Sequence, residues 1–276
     1  MKRQLKEKIK DNFTDSPLWL SKLKDDCKAQ KVFLAIRDNK IGLYHRGGKL
    51  FEFSKDEFKT NIKFASVKDK LGNDYLSENE IKILGYEARF IENYQRINEN
   101  CEKYSGPEDE GISKIYHKHS YLAEENKVVL DIEVSFESLN HKGQDRIDVL
   151  LFDKEKQELQ FVEVKHYSNG ELWSSTGEPK VIKQVKRYET QIKNRNDEIL
   201  STYTNYIEIL NKLFDINLPI PKSIHKKVTL LIFGFDSDQL KGRLNKLIIK
   251  NNEFNESGIS VYAKGDIGSI VLNNID

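Results

Sequence analysis

Arg146-Ile147-Asp148-Val149-Leu150-Leu151-Phe152, then a charged run from Asp153 to Glu158, then Leu159-Gln160-Phe161-Val162-Glu163-Val164-Lys165: the fold turns on this stretch. Two apolar strands each carry an acidic residue where a buried strand does not tolerate one. A two-residue hairpin turn at Glu155-Lys156 sets Asp148 directly across from Glu163. Facing residues of an antiparallel pair have Cβ atoms about 5 Å apart, and like charges so placed repel. Glu163 and Lys165 are two apart on one strand, so both leave the same face. Two carboxylates and one ammonium therefore converge inside an apolar sheet. Burying such charges is costly unless they are paired, and a divalent cation can supply what one lysine cannot. The plain alternative is a sheet whose acidic residues reach solvent at a strand end.

The E-x-K spacing by itself discriminates little. It also occurs at Glu57-Phe58-Lys59, Glu80-Ile81-Lys82, Glu125-Asn126-Lys127 and Glu178-Pro179-Lys180. Glu163-Val164-Lys165 differs because it ends an apolar strand directly after a hairpin that supplies an Asp in register. In that setting, Asp148, Glu163 and Lys165 resemble the active-site signature of the PD-(D/E)xK nuclease superfamily, over roughly residues 108 to 270. Ile147 stands where the family's name places a proline.

The resemblance implies that Asp148 and Glu163 hold Mg²⁺, with Mn²⁺ as a substitute, and that the Val164 carbonyl is a further ligand. It makes Lys165 the group that positions or activates the attacking water. Oxygen-only ligands suit such hard cations, whereas Zn²⁺ normally draws His or Cys. The family often adds an acidic residue from the helix before the first strand. Glu110 is the candidate here, with Glu108 and Glu133 as competitors; an acidic residue favouring a helix N-terminus explains Glu108 and Glu110 equally well. Gln184-Val185-Lys186-Arg187-Tyr188 places Gln184 and Tyr188 on one helix face. It resembles a Q-x-x-x-Y motif of the exonuclease-like branch, which braces the site or contacts nucleic acid. Lys183, Arg187 and Tyr188 are the nucleic-acid-binding candidates, with Lys180 and Lys186 as further phosphate contacts. An ordinary amphipathic basic helix is the competing reading.

Turn and periodicity signals organise the rest. Residues 1–30 read as helical, followed by strands Val32–Arg37, Ile41–Arg46 and Lys49–Phe53 around turns at Asp38-Asn39 and Gly47-Gly48, with a fourth strand expected over Asn61–Val67. A helix over 77–104 opens with Ser77 and Glu80 as a capping box. Next are a helix from Glu108 to Glu125, a strand from Val128 to Phe136, and the motif hairpin. A loop (Ser168–Gly177) and helices from Glu178 to Phe214 lead to a strand over Val228–Phe233, a helix over Ser237–Ile249, and closing segments at Ile259–Tyr262 and Ile270–Leu272. The expected fold is α/β of the α+β kind. It combines a restriction-endonuclease-like αβββαβ core with a mixed sheet (76–276) and a small N-terminal β-containing module (1–75).

With 276 residues, 38% hydrophobic, the chain can bury a substantial core. Its formal net charge of +1 gives no global attraction to nucleic acid, so a DNA-facing surface must be local. The basic residues of Met1 to Lys10 are not followed by the apolar run that a signal peptide would show, and no run approaches the roughly 18 apolar residues of a membrane span. Cys27 and Cys101 read as structural thiols, consistent with a reducing cytoplasm. No Gly-rich phosphate loop or serine-nucleophile elbow is present. What the resemblance of Asp148, Glu163 and Lys165 implies is a Mg²⁺-dependent nuclease acting on DNA, with RNA still open, in a restriction or phage-defence setting, as a homodimer or part of a larger complex. A catalytically silent nuclease-fold subunit that binds DNA or protein is the alternative.

Overall fold

In the computed structural model, the described residues are 2–66, 74–86, 88–137, 144–174 and 178–275. The chain is mixed α+β and groups into two compact units. One comprises Lys2–Ser113 with Asn205–Asn217; the other comprises Lys114–Thr204 with Leu218–Asp276.

The first unit carries an antiparallel sheet in sequential order: β1 (Phe33–Arg37), β2 (Lys40–His45), β3 (Gly48–Ser54), β4 (Glu57–Asn61) and β5 (Tyr75–Leu76). Two-residue turns set its register. Asp38-Asn39 joins β1 and β2 as expected, but the next turn is Arg46-Gly47, one residue earlier than Gly47-Gly48. Arg46 and Gly47 both have positive φ (45° and 89°), the conformation that matches strand twist in a tight hairpin. Lys55 and Asp56 repeat it (54° and 62°) and start β4 at Glu57. The strand expected over Asn61–Val67 is therefore a correction: β4 ends at Asn61 and a short helix, Ile62–Ser66, follows. Val67 lies outside the described residues.

The helix expected over 77–104 is also divided. Ser77 and Glu80 do form the capping box, but that helix spans Glu78–Ile83, and a second spans Tyr94–Lys103. Gly85 stops the first at φ 81°; its N–H bonds to Lys82 O, and Tyr86 N–H to Ile81 O, a helix-ending pattern that glycine permits. Phe90 and Tyr94 then pack on Phe51 of β3, with centroids 5.3 and 6.3 Å away. These contacts explain why 78–113 groups with the first sheet, so that the seam between units falls after Ser113 and not at residue 75. Cys27 and Cys101 are buried free thiols in this unit, and burial pushes the Cys101 thiol up to about 12.

The second unit is built on a mixed sheet. Helix Pro107–Lys118 enters it, followed by β6 (Lys127–Glu137), β7 (Gln144–Asp153) and β8 (Glu158–His166), all antiparallel. Helices Lys180–Asn194 and Asn196–Phe214 follow. The short β9 (Ser223–Ile224) pairs with the start of β8, then β10 (Thr229–Phe233) runs parallel to β8 and β11 (Ser260–Lys264) parallel to β10. A parallel return requires a long crossover, which the two helices provide. All five residues of β10 are buried, as are Phe161 to Val164 on β8 beside it and Val149 to Phe152 on β7, the next strand over. The helix expected over Ser237–Ile249 changes geometry at Gly242 (φ −87°, ψ −108°). Ser175, Thr176 and Gly177 of the expected loop lie outside the described residues. Among the described residues, no helix is long and apolar enough to cross a membrane.

Candidate active site

The motif hairpin closes with four residues, Lys154 to Gln157, inside the pair Asp153–Glu158, and not with the two expected. Gln157 supplies the positive φ (54°), and the Asp153 carboxylate accepts the Lys156 N–H at 2.9 Å. Both turns share one centre, so the register is unchanged. Val149 pairs with Val162, and Asp148 and Glu163 are the next positions outward. There the backbone ladder gives way to a side chain: Asp148 Oδ2 accepts the Val164 N–H at 2.8 Å. Asp148 is half-buried, while Glu163 and Lys165 are 1% and 6% exposed.

Glu163 is the hub. Its Oε1 receives Lys165 Nζ at 2.9 Å and Gln184 Nε2 at 2.8 Å. Oε2 is buried and takes no hydrogen bond from the described residues. Leu230 and Ile232 of β10, both fully buried, sit beside Glu163 and Lys165 in the parallel register. An ion pair beside such apolar neighbours is electrostatically stronger than one in water, but its desolvation demands good geometry.

Gln184 also donates to the Tyr188 hydroxyl at 2.7 Å, and that hydroxyl donates to the Arg146 carbonyl at 2.7 Å. Helix Lys180–Asn194 is thereby tied both to Glu163 and to the strand bearing Asp148. Val181, Val185 and Ile192 form its buried side, as the spacing predicts. Tyr188 is 2% exposed, and burial, then the charges of Glu163 and Asp148, raise its pKa. It is a brace in this arrangement. Lys183 is exposed; Arg187 Nε is 2.8 Å from Asp145 Oδ1, so its charge is already engaged by a carboxylate.

The remaining acidic candidates lie differently. Glu110 is exposed on helix Pro107–Lys118 in the first unit, whereas the Asp148–Glu163–Lys165 cluster belongs wholly to the second. Glu108, on the same helix, is half-buried. Glu133 falls between the pairs Ile132–Val149 and Val134–Ile147, level with Asp148. Its backbone is left-handed there (φ 49°), and its Oε1 meets Arg146 Nη1 at 3.0 Å.

One residue escaped the sequence reading. Glu171 Oε2 lies 3.2 Å from Lys165 Nζ, so the lysine is held by two carboxylates. Glu171 sits on a single helical turn, Gly170–Leu172, whose N-cap Asn169 accepts the Glu171 N–H at 3.0 Å. Asn169-Gly170 marks a turn in sequence, but nothing in a turn signal tells where its next side chain will reach.

Among the described residues, no three His, Cys, Asp or Glu side chains come together as a ready metal cage. Comparison with known proteins adds no relative: no family model, no curated protein and no solved structure matches this chain.

Proposed function

We propose that this chain is a divalent-metal-dependent nuclease that hydrolyses phosphodiester bonds in DNA, built on a restriction-endonuclease-like αβββαβ core. The observation that carries the reading is the strand register that sets Asp148 next to Glu163, with the Asp148 carboxylate on the Val164 N–H, Lys165 Nζ on Glu163 Oε1, and Glu163 held by Gln184. The element order from Pro107 to Phe233 and the parallel pairing of β8 with β10 support the fold assignment.

The donor set fits a hard cation. Asp148, Glu163 and the Val164 carbonyl offer oxygen, and the carboxylates of Asp148, Glu163 and Glu171 outnumber the Lys165 ammonium by two charges. Two carboxylates with several retained waters are a common Mg²⁺ arrangement, so a full cage of side chains is not required. When bound, the ion would neutralise phosphate charge and lower the pKa of a coordinated water. The chain's own residues do the rest. Lys165 presents Nζ toward the reacting phosphate or water, kept in place by Glu163 and Glu171. Gln184 fixes the orientation of Glu163 Oε1, and Asp148 is steadied by the Val164 N–H.

A second reading, a silent nuclease-fold subunit that binds DNA or protein, draws on Glu163 Oε1 being already engaged by Lys165 and Gln184, which compensates the buried carboxylate with the chain's own side chains. Incubation with supercoiled and linear DNA, and with RNA, in Mg²⁺, Mn²⁺ or EDTA separates the two. DNA cleavage is expected with either metal and none in EDTA. Asp148→Asn and Glu163→Gln should each lower cleavage by at least a hundredfold, with circular dichroism unchanged, since each removes a charged ligand. Wild-type rates in either variant would overturn the site assignment, and DNA binding without cleavage would favour the silent subunit.

A further inference from the structure

Directly beyond Lys165 the chain builds a second cluster that the hydrolytic chemistry does not use. Tyr167 follows the end of β8, and its N–H bonds to Phe233 O at 2.7 Å. The loop then returns: Trp173 Nε1 donates to the Tyr167 carbonyl at 2.9 Å, and the two rings meet edge to face with centroids 5.0 Å apart. Phe235, just after β10, packs 6.4 Å from the Tyr167 ring. Arg243 lies over Trp173 with its guanidinium 4.2 Å from the ring centroid. The three aromatic side chains are half-exposed and Arg243 is exposed.

Arg243 is held by a ring and not by an acid: among the described residues no carboxylate lies within ion-pair distance of it. A guanidinium attracted to an aromatic ring keeps its full charge and N–H groups that can still donate to phosphate. Its segment, Leu240–Ile249, also carries Lys241 and Lys246 and no acidic residue. The cluster is continuous with the candidate active site, because the loop that bears Trp173 also bears Glu171, which touches Lys165. Half-exposed aromatic rings beside backbone-binding cations are the combination that single-stranded nucleic-acid sites use, since base faces become available for stacking when strands are unpaired.

We propose that Tyr167, Trp173 and Arg243 form a shelf for an unpaired nucleotide of the substrate strand. The substrate class would then be single-stranded or locally melted DNA. This rests on the nuclease reading above and specifies what that site receives.

The test uses the full chain in EDTA, with a labelled oligo-dT, the corresponding duplex, and an abasic strand of equal length. Trp173 is its own reporter, because the chain's other tryptophan, Trp19, is 2% exposed. Oligo-dT should quench tryptophan fluorescence; the duplex and the abasic strand should do so weakly. Trp173→Ala should weaken oligo-dT binding on the order of tenfold, with little effect on the abasic strand. Arg243→Gln should weaken both single strands. Undiminished oligo-dT affinity in either variant, or equal losses on duplex and single strand, would overturn the shelf. If Trp173→Ala disturbs its loop, the exposed Arg243→Gln and the quenching measurement decide. Wild-type cleavage in Mg²⁺ distinguishes the two readings. Quenching without cleavage of any substrate removes the nuclease and keeps the shelf; cleavage with duplex preference and indifferent variants does the reverse.

Discussion

At the scale of single residues, the site is organised by what Glu163 needs. A carboxylate 1% exposed must be compensated, and Lys165 and Gln184 both converge on Oε1. Removing either should have a different signature. Lys165→Ala takes a cation from a buried acid, so a stability loss of about 3 kcal/mol is expected, read as a lower melting temperature. Its kcat should fall by about a hundredfold or more, the range for losing a proton-transfer or water-positioning group, while calorimetric Mg²⁺ binding persists. Gln184→Ala removes a positioning residue without removing charge. It should lower kcat on the order of tenfold with KM for DNA nearly unchanged, the pattern for an interaction that matters mainly in the transition state. A change confined to KM, or none, would leave Gln184 as scaffold. Asp148 and Glu163 were legible because strand alternation and a hairpin centre fix which residues face each other. Glu171 was not, because no period governs how far a loop side chain reaches.

Secondary-structure elements decide how the site could meet its substrate. Helix Lys180–Asn194 buries Val181, Val185 and Ile192, and Gln184 and Tyr188 brace the sheet, so its cations are carried by what remains. Arg187 already faces Asp145, whereas Lys183 is exposed. If Lys183 contacts a phosphate, Lys183→Ala should reduce the slope of log affinity against log salt by about 0.7 to 0.9, the release of roughly one counterion. An unchanged slope in a salt titration would make this an ordinary basic face. The periodicity of this helix was readable because its apolar stripe is long. The helix expected over 77–104 was misread because glycine in a helical pattern signals either a tolerated interior position or a stop. Gly85 turned out to be the stop, with φ 81°.

On the whole-molecule scale, the units do not follow the order of the chain. Asn205–Asn217 belongs to the first unit although it lies between elements of the second. It contributes Tyr206, Ile207 and Leu210, all fully buried, and Phe214, whose ring packs against Trp19 at 6.0 Å. A fragment ending at Ser113 should therefore lack part of its own core and expose what remains. Expressed alone, 1–113 should be poorly soluble or melt without cooperativity in a thermal scan, and a fragment restoring residues 205–217 should recover order. A sharp, reversible transition for 1–113 by itself would show that these buried side chains are dispensable.

The sequence by itself determined the α+β class, the strands of both sheets save β4 and the short β5 and β9, and the register that sets Asp148 against Glu163. These depend on interactions between near neighbours: side-chain alternation, turn chemistry and capping, as at Ser77 and Glu80. Tertiary structure alone decided what lies far apart in the chain yet close in space. It brought Glu171 to Lys165, Arg146 to Tyr188, Arg243 to Trp173, and 205–217 to the first sheet. Contacts of that kind depend on how layers pack and where crossovers land, and local pattern does not encode them residue by residue.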